Sequence, residues 1–363
     1  MTNTRVNEID LLRFLAAIAV VFFHYSFRGY AADDMSVMPY PLFASASKYG
    51  YLGVELFFMI SGFVILMTAA SGSLRGFVIS RIVRLYPAFW VCCTITFLLT
   101  ITIGGARYTA SIGQYLANMT MLSGFTKIPS IDGAYWSLFI EIRFYLLVAI
   151  VLLVGKIHKA QTLTLAWLVL TIILEIKSTR TLRNFFITEY SAFFIAGATF
   201  FFIWEKGLSN TRIAMIITSW ALAVFKSTDK LDVFEKHYAT PISSYVVAGI
   251  VTLFFVLMAL ASLRRTGFIG RHQWLLAGVL TYPLYLLHQN IGFMVFNLAY
   301  PQVNAHILFW GMILVVIAIA YAVHFFIEKR FASPMKRALN TLTDFGQQKL
   351  SLVRSAIEQR RGN

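Results

Sequence analysis

Ionisable side chains lie inside long apolar runs or at their ends: Arg13, His24, Glu55, Arg81, Arg84, Glu141 and His288. Histidine titrates near neutral pH and suits proton abstraction from a hydroxyl. A neighbouring carboxylate, Glu55 or Glu141, would fix the imidazole tautomer and stabilise an imidazolium. Arg81 and Arg84 are i, i+3 neighbours, and two guanidinium forks on one helical face can grip a phosphate. Arg13 and His24 are eleven residues apart in sequence. On a helix that spacing puts them about 20° apart in azimuth and about 16 Å apart along the axis. Asp10, one turn before Arg13, falls on the same side. Lipid does not accept such a stripe, so this face must look into protein or a wet cavity.

These residues need membrane helices to hold them. The chain has 363 residues, of which 58% are hydrophobic and 13% charged, and its mean hydropathy is +0.71. That composition belongs to an all-α, polytopic membrane protein. The net charge of +15 invites a nucleic-acid partner, but the basic residues sit between apolar segments, where they orient spans. No basic stripe interleaved with exposed aromatics accompanies them, so nucleic acid is excluded. Cys92 and Cys93 are adjacent in an apolar run, which suggests neither a disulfide framework nor a metal site. Arg5 before an apolar core resembles a signal peptide, but no small-residue cleavage site follows, so the segment reads as an uncleaved first span.

Ten candidate spans follow from hydropathy, at 8–27, 51–70, 86–104, 135–154, 161–176, 188–204, 212–226, 242–262, 274–297 and 307–327. The larger share of Lys and Arg falls on the side of the N-terminus, which predicts both termini in the cytoplasm. Residues 1–330 read as one membrane domain and 331–363 as a basic cytoplasmic tail. Segment 105–134 reads as a re-entrant or interfacial loop around Gln114–Leu122. No internal repeat is visible.

With that topology, His24, Glu55, Glu141 and His288 fall in one layer of the outer half of the membrane. A charge left in lipid costs about 2.5–3.5 kcal/mol, so the four are expected to face one another, water or a substrate. Arg81 and Arg84 fall on the opposite side, in the loop entering the third span, where the helix N-terminus favours anions. Blander roles stand beside these. A histidine on a membrane helix often serves an interhelical hydrogen bond. Tyr282, Tyr285 and His288 would form a packed seam around Pro283. Glu55 and Glu141 would be structural pair partners, Arg81 and Arg84 membrane anchors, and His324 with Glu328 a local i, i+4 pair. Asn118-Met-Thr is a glycosylation sequon by pattern alone.

The motifs resemble those of the integral-membrane acyltransferase family 3. They are the Arg13–His24 spacing, Gly53–Phe63 (GVELFFMISGF), Arg81–Pro87 (RIVRLYP), Ala134–Leu147 (AYWSLFIEIRFYLL) and Pro283–Gln289 (PLYLLHQ). The resemblance implies a ten-span fold and O-acylation of a saccharide or other envelope molecule. It implies His24 as the catalytic histidine, with Arg13 its companion, and Arg81 and Arg84 as the pair engaging the donor. Glu141 matches the family's acidic position, Glu55 stands where aspartate is commoner, and Arg143 departs from the pattern. Acetyl-CoA is then a co-substrate rather than a resident cofactor, its head on Arg81 and Arg84 and its arm reaching towards His24. The expected partners are a saccharide or glycolipid acceptor and the bilayer, in a bacterial cytoplasmic (inner) membrane. No serine or cysteine declares itself as a nucleophile, which favours direct transfer. The rival reading is a solute or proton-coupled transporter, whose pathway would also carry intramembrane Arg, His and Glu.

Overall fold

The computed structural model describes residues 6–70, 72–176 and 179–361, with side chains described to Phe345 and at Gln348. Among the described residues there is no strand, and the chain is a bundle of α-helices. The apolar helices are α1 (Asn7–Phe23), α2 (Gly53–Ala69), α3 (Leu74–Ile103), α4 (Trp136–Leu153), α5 (Ala160–Ile176) and α6 (Ser191–Lys206). They continue as α7 (Asn210–Thr228), α8 (Ser244–Ser262), α9 (Leu275–Leu287), α10 (Gln289–Ala299) and α11 (Ala305–Val323), followed by α12 (Lys329–Arg361). Seven continuous helical stretches among the described residues are long and apolar enough to cross a membrane. The ten expected spans all fall on helices, but α6 is short and the expected span 274–297 is two helices, α9 and α10, broken at His288.

The packing centres on α1 and α2. α1 lies between α2 and α9, while α2 packs most extensively on α6. That contact depends on two glycines. A Cβ on Gly197 would come within 1.8 Å of the Met59 carbonyl, and one on Gly62 within 2.2 Å of the Phe194 carbonyl. Backbones this close let small residues hold membrane helices together by dispersion. Around them, Phe63, Phe193, Phe194 and Phe200 are fully buried.

Two helices carry π turns, at His24–Arg28 after α1 and at His324–Glu328 after α11. Such wide turns leave the ordinary i→i−4 ladder and often mark functional positions. α3 begins at Leu74, capped by Ser73 Oγ accepting from the Gly76 amide (3.1 Å). Arg81 and Arg84 therefore stand two turns inside a long helix. The expectation that they lie in a loop at a helix N-terminus is corrected, since the free amides sit at Leu74 and its neighbours. The 105–134 segment holds a helix at Ile112–Met119. Asn118, 1% exposed, binds the Pro129 carbonyl and the Ile131 amide. It is a structural clasp, buried away from any modifying enzyme.

Candidate active site

Two cavities lie end to end in the bundle. The first, about 190 Å³, is lined by Arg13 of α1, Ser61 of α2, Arg81 and Arg84 of α3, and Glu141 and Tyr145 of α4. The second, about 230 Å³, is lined by His24, Arg28, Glu55, Ser227 and Gln289 among others. Val54 and Tyr285 line both, and the wall they share is the waist between the two cavities. The Tyr285 hydroxyl shares hydrogen bonds with Ser137 Oγ (2.7 Å) and the Ala134 carbonyl (3.0 Å), which pins the ring at that waist. Arg13 and His24 lie in different cavities, as their rise along one helix requires.

The histidine geometry settles a tautomer. His288 Nδ1 is 2.8 Å from the Tyr285 carbonyl, which can only accept, so that nitrogen carries the proton. Its Nε2 is then a lone pair, 3.1 Å from His24 Nδ1. His24 Nδ1 also lies 2.8 Å from the Val20 carbonyl, so it too is protonated and its N–H is shared between the two acceptors. This leaves His24 Nε2 as the basic atom, 3.3 Å from Arg28 Nη1. His24 is 5% exposed and His288 fully buried. The break after Leu287 is held in place by its surroundings. The Tyr25 hydroxyl donates to the His288 carbonyl (2.6 Å), while Asp132 accepts from the amides of Asn290 (3.0 Å) and Ala134 (2.8 Å).

Among the described residues no carboxylate hydrogen-bonds His24, the role expected of Glu55 or Glu141. Glu55 does line the same cavity, but its Oε2 accepts from Ser227 Oγ (2.8 Å). Glu141 lies in the other cavity and accepts from the Ser61 hydroxyl. The expected single layer of His24, Glu55, Glu141 and His288 is therefore split. The reason is helical rise. Trp136 of α4 lines the His24 cavity, and Glu141, five residues on, is about 7.5 Å farther along the axis. Main-chain carbonyls and His288 hold the imidazole instead.

In the arginine cavity, Arg81 lies over the Tyr145 ring (6.0 Å to the centroid) and Arg84 over Tyr282 (6.0 Å). Arg84 also reaches Glu328 of the second π turn (3.7 Å), which pairs in turn with His324 (2.7 Å). The expected local His324–Glu328 pair is present and is joined through Glu328 to Arg84 of the cationic cavity. Arg143 belongs to neither cavity. It stacks on Phe139 (4.2 Å to the centroid) and donates to the Asn184 carbonyl (3.2 Å). Among the described residues no cluster of His, Cys, Asp and Glu has the makings of a metal site. The sequence marks Gln289 only as the end of the Pro283–Gln289 motif and Glu328 only as half of a local pair, while Arg28, at i+4 from His24, has no motif to mark it.

A basic nitrogen in one cavity and clustered guanidinium groups in the next suit group transfer from a phosphate-bearing donor, inside a membrane bundle. A family model described as an acyltransferase domain matches residues 6–325, and the chain belongs to that family, acyltransferase family 3. It is an integral-membrane acyltransferase. Among proteins of known annotation, it is similar to Nodulation protein 10 of Rhizobium leguminosarum bv. viciae, 26% identical over 322 residues. That match covers 78% of this chain and 82% of the relative. It is also similar to the peptidoglycan O-acetyltransferase OatA of Listeria monocytogenes serovar 1/2a, 30% identical over 162 residues. The second match covers 39% of this chain and 23% of that protein. No solved structure matches the chain.

Proposed function

We propose that this protein moves an acetyl or other short acyl group from cytoplasmic acetyl-CoA to a hydroxyl of an envelope or exported saccharide. The observation that carries this reading is the pair of cavities meeting at Val54 and Tyr285, arginines in one and His24 in the other. CoA phosphates sit on Arg81 and Arg84, with Arg13 lining the same cavity, where planar guanidinium groups bind phosphate bidentately. The slender arm crosses the waist and presents the thioester to His24. The acceptor enters the His24 cavity from the other side. The acceptor oxygen attacks the carbonyl carbon while His24 Nε2 takes its proton, and the sulfur leaves as thiolate and recovers that proton from the imidazolium. No resident cofactor or metal takes part.

An inner-membrane location with both termini cytoplasmic puts the arginines on the side where CoA is found. The name of the Listeria relative, a peptidoglycan O-acetyltransferase, supports a saccharide acceptor. The test uses membranes from cells producing the protein, supplied with radiolabelled acetyl-CoA. Label should enter an alkali-labile ester on extractable glycan with the wild type and not with His24→Ala. Equal labelling with the two proteins would remove His24 from the chemistry.

A further inference from the structure

Gln289 is the first residue of α10, follows His288 directly and is 1% exposed. It lines the His24 cavity. No protein group pairs with either its Oε1 or its Nε2. A buried polar group without a partner is costly, and here both ends of one carboxamide stand unpaired in a solvent-shielded wall. A Cβ on Gly133 would come within 2.0 Å of Gln289 Nε2, so the amide nitrogen lies close against the Gly133 backbone and a side chain there would have to displace it. Arg28 Nε, in the same cavity, likewise has no protein partner.

Acyl transfer at His24 would place a carbonyl in this cavity. As the new C–O bond forms, the π electron pair moves onto the carbonyl oxygen, and donors fixed in advance around that oxygen lower the barrier. We propose that the Gln289 side-chain N–H donates to the acyl carbonyl oxygen and stabilises it as an oxyanion, beside the Arg28 guanidinium. When the tetrahedral intermediate collapses, the C=O bond re-forms, the C–S bond breaks, and the thiolate takes the proton held by His24. This assignment rests on the acyl-transfer reading above.

The test compares purified full-length wild type, Gln289→Met and Gln289→Glu, reading CoA thiol release from acetyl-CoA with water as acceptor. Glycan labelling in membranes is measured in parallel. Met keeps the length without hydrogen bonds, and Glu keeps the shape without the N–H donor. Turnover should fall by about 10²–10³-fold in both variants, with KM for acetyl-CoA within twofold. The thermal midpoint of Gln289→Met should stay level or rise, because an apolar group replaces an unpaired amide. Turnover retained within threefold would overturn the assignment. So would a midpoint that drops along with activity, which marks a structural role. Intact thiol release with lost glycan labelling would also overturn it, making Gln289 an acceptor contact. A wild type that neither releases CoA thiol nor labels glycan in membranes overturns the function itself, a result distinct from all of these.

Discussion

His288 Nε2 accepts from His24 Nδ1 at 3.1 Å, and each imidazole anchors its own Nδ1–H on a main-chain carbonyl, Tyr285 for one and Val20 for the other. The two rings thus form a directional chain ending at the lone pair of His24 Nε2, which faces Arg28 Nη1 at 3.3 Å. Orientation of a catalytic histidine usually falls to a carboxylate. At His24, the proposed base, it falls to backbone and a second histidine, buried where a charge would be costly.

His288 should therefore behave as a positioning residue. His288→Ala frees His24 to adopt the other tautomer, and turnover should fall by about 10²-fold or more, with KM for acetyl-CoA little changed. His288→Gln, which restores an acceptor near the same place, should recover part of the loss. Steady-state kinetics on acetyl-CoA cleavage distinguishes this from a packing defect, which would lower the thermal midpoint of the two variants alike.

Glu55 should matter much less than a triad carboxylate. Its partner is Ser227, so Glu55→Gln should keep turnover within about tenfold, against the roughly 10⁴-fold loss when a triad aspartate is neutralised. Ser227→Ala should cost about 1 kcal/mol of stability through the lost hydrogen bond, measured by thermal unfolding in detergent. A collapse of activity in Glu55→Gln would restore the carboxylate to the chemistry.

Arg84 and Glu328 should act in opposite senses on donor affinity. Arg84→Ala removes a charge-assisted contact of about 1.5–3 kcal/mol, so KM for acetyl-CoA should rise by roughly tenfold or more with kcat nearly unchanged. Glu328 lies 3.7 Å from the same guanidinium and competes with phosphate for it. Glu328→Gln should lower KM several-fold, read out as tighter inhibition by free CoA as well.

The α2–α6 contact should be the most fragile packing in the bundle. Gly197→Ala drives a Cβ against the Met59 carbonyl at 1.8 Å, and backbone cannot step aside as a flexible side chain can. A destabilisation of at least about 2 kcal/mol is expected, in the range of overpacked cores. Gly249→Ala, where a Cβ meets nothing within 4 Å, should leave the thermal midpoint almost unchanged and serves as the control.

The helices and the separation of Arg13 from His24 were legible because both follow from periodicity and rise along a single element. The helical break at His288 had a cue in Pro283, five residues earlier. What escaped the sequence depends on contacts between distant elements. The carbonyls of Val20 and Tyr285 leave no side-chain signature, so a carboxylate was the natural guess for the partner of His24. Glu141 seemed level with the histidines because hydropathy places span ends only within a turn or two, and a turn is enough to move it between cavities. Arg84 and Glu328 are remote in sequence, and no spacing rule joins them.

In the proposed reaction the donor reaches His24 through the waist at Val54 and Tyr285. Val54→Phe narrows that passage without touching Arg81, Arg84 or either histidine. Binding of CoA to the purified variant, measured calorimetrically, should match the wild type within twofold, while acetyl transfer falls more than a hundredfold. Full transfer through a plugged waist, with CoA still bound normally, would rule out that route.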